Sequence, residues 1–135
     1  MKTKLLLTLA AAALTGCASF QQVPAEVAQI KLDRVDSSRV FIARATFARD
    51  HGQLVLLGSV MRKVGVEDTT RTHLAVTLFD ENGNMLREIP ARFAPQDIPR
   101  GPKMSGWSEY RIPLAPVPAD TSRIEIRACE DASGG

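Results

Sequence analysis

Two apolar patterns divide the chain. Leu5 to Leu14 is a run of ten residues broken only by Thr8, whereas from about residue 29 onward apolar and polar positions alternate with a period of two. That alternation is the mark of strands with one face buried. A strand is expected near Gln29 to Val35, closed by Asp36-Ser37-Ser38. In "RVFIARATFA", residues 39–48, Phe41, Ala43, Ala45 and Phe47 fall on one face, and Val40, Ile42, Arg44 and Thr46 on the other. Arg49-Asp50-His51-Gly52 reads as a turn, and "QLVLLGSVMR", residues 53–62, as a buried strand with Gly58 at a bulge or a close backbone approach. After the polar connection "KVGVEDTT", Leu74, Val76 and Leu78 point one way and His73, Ala75, Thr77 and Phe79 the other. Asn82-Gly83 predicts a tight hairpin, because both residues tolerate positive φ. Met85 to Phe93 is the return strand, with Pro90 favouring an edge or a bulge. Residues 94–106 carry three prolines and two glycines and read as a long loop. Trp107 to Leu114 makes a further strand, "APVPAD" a turn, and Ser122 to Cys129 the last strand, with Ile124, Ile126 and Ala128 inward.

Short strands at even spacing, with no long helix after residue 16, predict an all-β fold: a single antiparallel sandwich of about seven strands. The span from Leu54 to Cys129 resembles an immunoglobulin or fibronectin type III fold. The segment "LVLLGSVMRKVGVEDTTRTHLAVTLFDENGNML" is similar to the bacterial FxLYD-type sandwich domains, through Gly58, Val60, Val76, Leu78, Asp80 and Gly83. This resemblance implies a fold and leaves the function open.

The first segment carries a different message. Lys2 and Lys4 precede the apolar run, and Gly16 follows it as a small residue, the order of parts in a secretory signal. Ten helical residues rise about 15 Å, half of a hydrocarbon core of about 30 Å, which suits export better than permanent spanning. Leu14-Thr15-Gly16-Cys17 then resembles the lipobox of bacterial lipoproteins. The resemblance implies cleavage before Cys17, a diacylglycerol on its thiol and a fatty acyl group, typically palmitate, on its new amine. It also implies residence in the cell envelope. Ala18 and Ser19, in place of an Asp after the cysteine, favour the outer membrane, facing the periplasm, in a Gram-negative host. The expected organisation is a signal peptide over 1–16, a lipidated N-terminus and tether over 17–28, a sandwich over 29–130 and a flexible tail over 131–135.

Composition adjusts this picture in one respect. Of 17 basic side chains in the 135-residue chain, Lys2 and Lys4 lie in the signal, leaving 15 against 15 acidic. A neutral domain without a basic run lacks the footprint of a nucleic-acid binder. With Cys17 lipidated, Cys129 has no intramolecular partner, and it reads as a partly covered thiol near the end of the last strand.

Catalytic patterns are lacking: the serines follow no Gly-x-Ser-x-Gly, no histidine lies within fifty residues of Cys129, and the carboxylates are scattered. The chain reads as neither an enzyme nor a cofactor protein. Candidate metal ligands are His51, His73 and Met104, at no recognised spacing, so copper or small-ligand binding is the alternative reading. The main expectation is a non-catalytic binding or assembly module with an envelope protein as partner. Trp107, Tyr110 and Arg111 form the residue set most suited to an interaction surface, although a lone Trp in a sandwich more often packs in the core. Arginines at 44, 62, 71, 87, 92, 123 and 127 are expected on exposed faces, solubilising the domain and pairing across strands.

Overall fold

The computed structural model describes residues 23–101 and 106–131. Residues 1–16, read above as a signal peptide, and Cys17 and Met104 lie outside the described residues. A 3-10 turn, Ala25–Val27, leads into seven strands. These are β1 (Lys31–Val35), β2 (Val40–Asp50), β3 (Gln53–Arg62), β4 (Thr72–Phe79), β5 (Met85–Ala91), β6 (Ser108–Pro113) and β7 (Arg123–Glu130). They form two sheets, ordered β1-β7-β4-β5 and β2-β3-β6. The connections β3 to β4 and β6 to β7 each pass between sheets, while β3 pairs with β6 and β4 with β7. This is the Greek-key centre of an immunoglobulin-like sandwich.

One pair departs from the antiparallel expectation. Strand β1 runs parallel to β7, from Lys31 opposite Arg123 to Val35 opposite Arg127. The reason is connectivity. Strand β2 begins beside Arg62, at the end of the sandwich where β3 finishes, and only the Asp36–Arg39 corner separates it from β1. For Ile30 and Leu32 to cover the β7 edge, β1 must travel toward that same end. Asp36 Oδ1 accepts the Ile42 N–H at 2.9 Å, and Ser37 Oγ accepts that of Val40 at 3.0 Å, which sets the corner.

The core lies between the sheets. Leu54, Leu56 and Val60 of β3 face Leu74, Val76 and Leu78 of β4 and Ile124 and Ile126 of β7, all at most 4% exposed. Phe93 and Ile98, from the β5–β6 loop, and Val27 and Leu114 complete it. The alternation predicted for β4 and β7 holds throughout. In β2 it breaks, because the register with β3 shifts between Ile42 and Arg44. Val40 and Ile42 point inward before this bulge, Ala45 and Phe47 after it, so neither face has the single-parity membership read from the sequence.

Opposite the bulge stands Gly58. The Tyr110 ring crosses the inner side of the sheet there and its hydroxyl donates to the Arg44 carbonyl. A Cβ at residue 58 would overlap both the Tyr110 hydroxyl and the Arg44 carbonyl oxygen. The close approach predicted for Gly58 is therefore present, while the bulge itself falls on the neighbouring strand.

The β4–β5 hairpin expected at Asn82-Gly83 is present, with a loop longer than a two-residue turn. Phe79 pairs with Met85 across a five-residue loop, in which Gly83 has φ 84°. The Asp80 carboxylate accepts the N–H groups of Asn82 and Asn84, each at 2.9 Å. These bonds, that from Asn84 foremost, hold the Asp80 pKa below its ordinary value. A loop-anchoring aspartate has made the tight Asn-Gly turn unnecessary.

The Gly58 contact yields a stability prediction. Gly58→Ala should destabilise the domain by about 1–3 kcal/mol through overpacking, and Tyr110→Phe by about 1–2 kcal/mol through the unsatisfied Arg44 carbonyl. Urea unfolding midpoints measure both.

Candidate binding face

The β2 bulge determines which side chains leave the core. Beyond it Arg44, Thr46 and Asp50 turn outward, with Ala48 on the same parity but buried, and the register lays them in rows with the residues of like parity on β3 and β6. Arg44, Ser59 and Glu109 form one row, and Thr46, Leu57 and Arg111 the next. Above them, Met61 and the neighbouring Trp107 and Arg92 line the upper part of the same open trough, of about 900 Å³. Arg111 Nε bonds Asp50 Oδ2 at 2.5 Å. By the register, this pair reaches across β3 above Val55, which is 0% exposed although its parity is outward.

Trp107 is 54% exposed. It stands on the outer face and takes no part in the core. Tyr110, expected beside it at the surface, is instead a core residue 4% exposed, and burial raises its pKa far above the ordinary 10.0. Alternation is the reason: on β6, Ser108, Tyr110 and Ile112 face in while Glu109 and Arg111 face out. The trough thus keeps Trp107 and Arg111 of the expected trio and adds Arg44, Met61 and Arg92. Arg111 is already neutralised by Asp50, whereas the Arg44 and Arg92 guanidinium groups have no bonded partner among the described residues. The upper trough offers an indole, a thioether and two free cations, against the single carboxylate of Glu109.

One of the arginines expected on exposed faces, Arg62, is nearly buried, and Arg87 and Arg123 are half-buried. Arg62 is 10% exposed at the side chain and clamps the β3–β4 and β5–β6 loops together. Its Nη1 donates to the Val66 carbonyl at 3.1 Å, and its Nη2 to Asp97 Oδ1 at 2.8 Å and to the Ile98 carbonyl. Thr69, fully buried, accepts the Ile98 N–H on its hydroxyl at 2.8 Å. Its own N–H donates to Asp97 at 3.2 Å. Arg87 donates to the carbonyls of Leu114 and Pro116 at 2.9 and 3.0 Å. Arg123 lies 4.1 Å above the Phe79 ring centroid.

The two histidines stand far apart in the fold. His51, at φ 51° in the β2–β3 turn, is beside Asp50 at one end of the sandwich. His73 begins β4 at the other end, on the other sheet, and its Nδ1 meets Asp131 Oδ1 at 2.5 Å. Asp131, read as the start of a flexible tail, is fixed by this contact and by its N–H on the Arg71 carbonyl at 2.7 Å. The register sets His73 directly opposite Cys129, a proximity that their separation of 56 positions conceals. The group is not arranged for nucleophilic chemistry. Burial raises the Cys129 pKa, with Glu88, Glu130 and Glu125 adding to burial and Arg127 opposing it, the reverse of what an activated thiolate requires. Among the described residues no three His, Cys, Asp or Glu side chains are placed to hold a metal ion.

The Arg62 clamp carries a pH signature. The Thr69 N–H, first, and Arg62, second, lower the Asp97 pKa below its ordinary 3.8. A depressed carboxyl adds stability above its unfolded value and loses it as the pH falls through the folded one. Protection of the Thr69 amide, its exchange relative to the intrinsic rate at each pH, should therefore hold at neutral pH and fall only below about pH 4. In Asp97→Asn that protection should be low already at pH 7 and vary little with acid, as followed by hydrogen-exchange NMR. Compared with known proteins, the chain matches no protein-family profile, no curated protein and no solved structure.

Proposed function

We propose that this chain is a lipid-anchored protein of the cell envelope, held by Cys17, and that its sandwich is a non-catalytic module binding an envelope protein through the outer face of β2-β3-β6. The observation that carries the reading is the exposed Trp107 beside Met61 and the guanidinium groups of Arg44 and Arg92, which have no bonded partner among the described residues. Aromatic and arginine side chains dominate binding energy at interfaces, and unpaired guanidinium groups bind carboxylates in forked pairs. A partner with an apolar anchor flanked by acidic residues fits this surface. Leu14-Thr15-Gly16-Cys17 supports the anchor, and its position after Lys2, Lys4 and the apolar run supports export.

Two measurements test the proposal. Cys17→Ser should release the chain from membranes or leave the precursor uncut; a processed variant that fractionates as before would refute the anchor. Crosslinking in intact cells should join the domain to one defined envelope protein. Trp107→Ala and Arg44→Glu should abolish that product while keeping the wild-type unfolding midpoint, and Glu81→Lys, on the β4–β5 loop at the other end of the other sheet, should retain it. A product unaffected by the first two variants would remove this face from the reading.

A further inference from the structure

We infer that the β6–β7 corner, Pro113–Ala119, is the surface by which the domain rests on the bilayer; the inference takes the anchor at Cys17 as given. Three observations lead there. The first is reach. The fold receives the chain at Pro24, which is buried, and at Val27, which is 1% exposed within the core. Seven peptide steps separate Pro24 from Cys17, a span of at most about 25 Å when fully extended.

The second is position. Strand β1 starts beside the first residue of β7, so the chain enters at the end of the sandwich that holds the β2–β3, β4–β5 and β6–β7 connections. Ile30, just before β1, lines one shallow hollow with Ala115, Val117 and Ala119. The opposite end, with Trp107 and the Arg62 clamp, is displaced along β3, whose ten residues rise about 33 Å. That rise exceeds the reach of the tether, so the domain cannot stand inverted on the bilayer.

The third is chemistry. The turn at Asp50-His51-Gly52 and the loop from Asp80 to Asn84 carry charge at their centres, whereas Pro113-Leu114-Ala115-Pro116-Val117-Pro118-Ala119 carries none and the β6–β7 connection meets its first charge at Asp120. Three of these residues are prolines and have no N–H to desolvate. The Leu114 N–H donates to the Leu54 carbonyl at 3.0 Å, and the Pro118 carbonyl accepts from Thr121 at 3.1 Å. The carbonyls of Leu114 and Pro116 accept from Arg87, which approaches from β5. Four backbone groups of the corner are thus bonded internally, and it presents the apolar side chains of Ala115, Pro116 and Ala119 outward, which suits the headgroup region of a lipid interface, where water still reaches the other backbone groups.

Tryptophan quenching tests the inference, since Trp107 is the sole tryptophan. The mature lipid-bearing protein is reconstituted into phosphatidylethanolamine–phosphatidylglycerol vesicles, with or without brominated acyl chains. Two further reporters, Ala119→Trp and Ala115→Trp, each in a Trp107→Phe background, are checked for folding by circular dichroism, so that either can stand if the other misfolds. The corner reporters should lose emission in brominated vesicles while Trp107 in the unaltered chain does not. Quenching of Trp107 to the same extent, or a folded corner reporter left unquenched, overturns the inference while leaving the anchor intact. A protein that does not float with the vesicles overturns the anchor and the inference together.

Discussion

The bulge in β2, held by the Tyr110 hydroxyl on the Arg44 carbonyl across Gly58, is the constraint from which the candidate face follows. A strand without it would continue the parity of Val40 and Ile42 and send Arg44 and Thr46 into the core. One extra residue reverses the parity, so Phe47 enters the core and Arg44 joins the surface. The contact requires an inner side chain long enough to cross β3, a hydroxyl at its tip and no Cβ beneath it. Tyrosine at 110 and glycine at 58 meet those requirements together. A residue that looked like part of the binding surface proves to be what shapes it.

The loops at the Trp107 end depend on a second polar unit. Arg62 leaves the end of β3 and draws two long connections together through Val66, Asp97 and Ile98. A guanidinium suits this task because its fork satisfies several acceptors at fixed angles where a lysine would satisfy fewer. Thr69 completes the unit from the other loop. The sandwich thereby closes its upper mouth over Ile98 with polar groups that are almost all paired, the Arg62 Nε being one buried exception.

The architecture was largely legible in the pattern of residues, because one buried face per strand leaves a period of two. Strands β3, β4, β6 and β7 follow from Leu54 to Val60, Leu74 to Leu78, Ser108 to Ile112 and Ile124 to Ala128, where no bulge disturbs the count. The reading failed in β2, since a bulge inserts a residue without any sequence mark of its own in "IARA". The parallel course of β1 was hidden as well, being decided by where β2 must begin. Of the candidate face, Trp107 and Arg111 could be named from residue type, but Tyr110 was misplaced even though alternation with Arg111 implied opposite faces. Arg44, Met61 and Arg92 come from three separate segments, the first two united by the β2–β3 pairing and Arg92 brought up by the crossing from β5 toward β6. The same holds for His73, Cys129 and Asp131, whose meeting is a product of the β4–β7 pairing.

Strand β1 carries a mechanical consequence. Behind the buried Val27 contact, it is the segment that takes up a load from the N-terminal side, and it lies along β7 over five register pairs with its first residue nearest the origin of that load. Tension drawn outward from Lys31 is directed along the strand axis, so the bonds between β1 and β7 are strained in shear and share the force. An edge strand pulled from a perpendicular direction would surrender its bonds one at a time. The parallel pairing therefore makes the shortest of the seven strands a lap joint between the domain and whatever pulls on it.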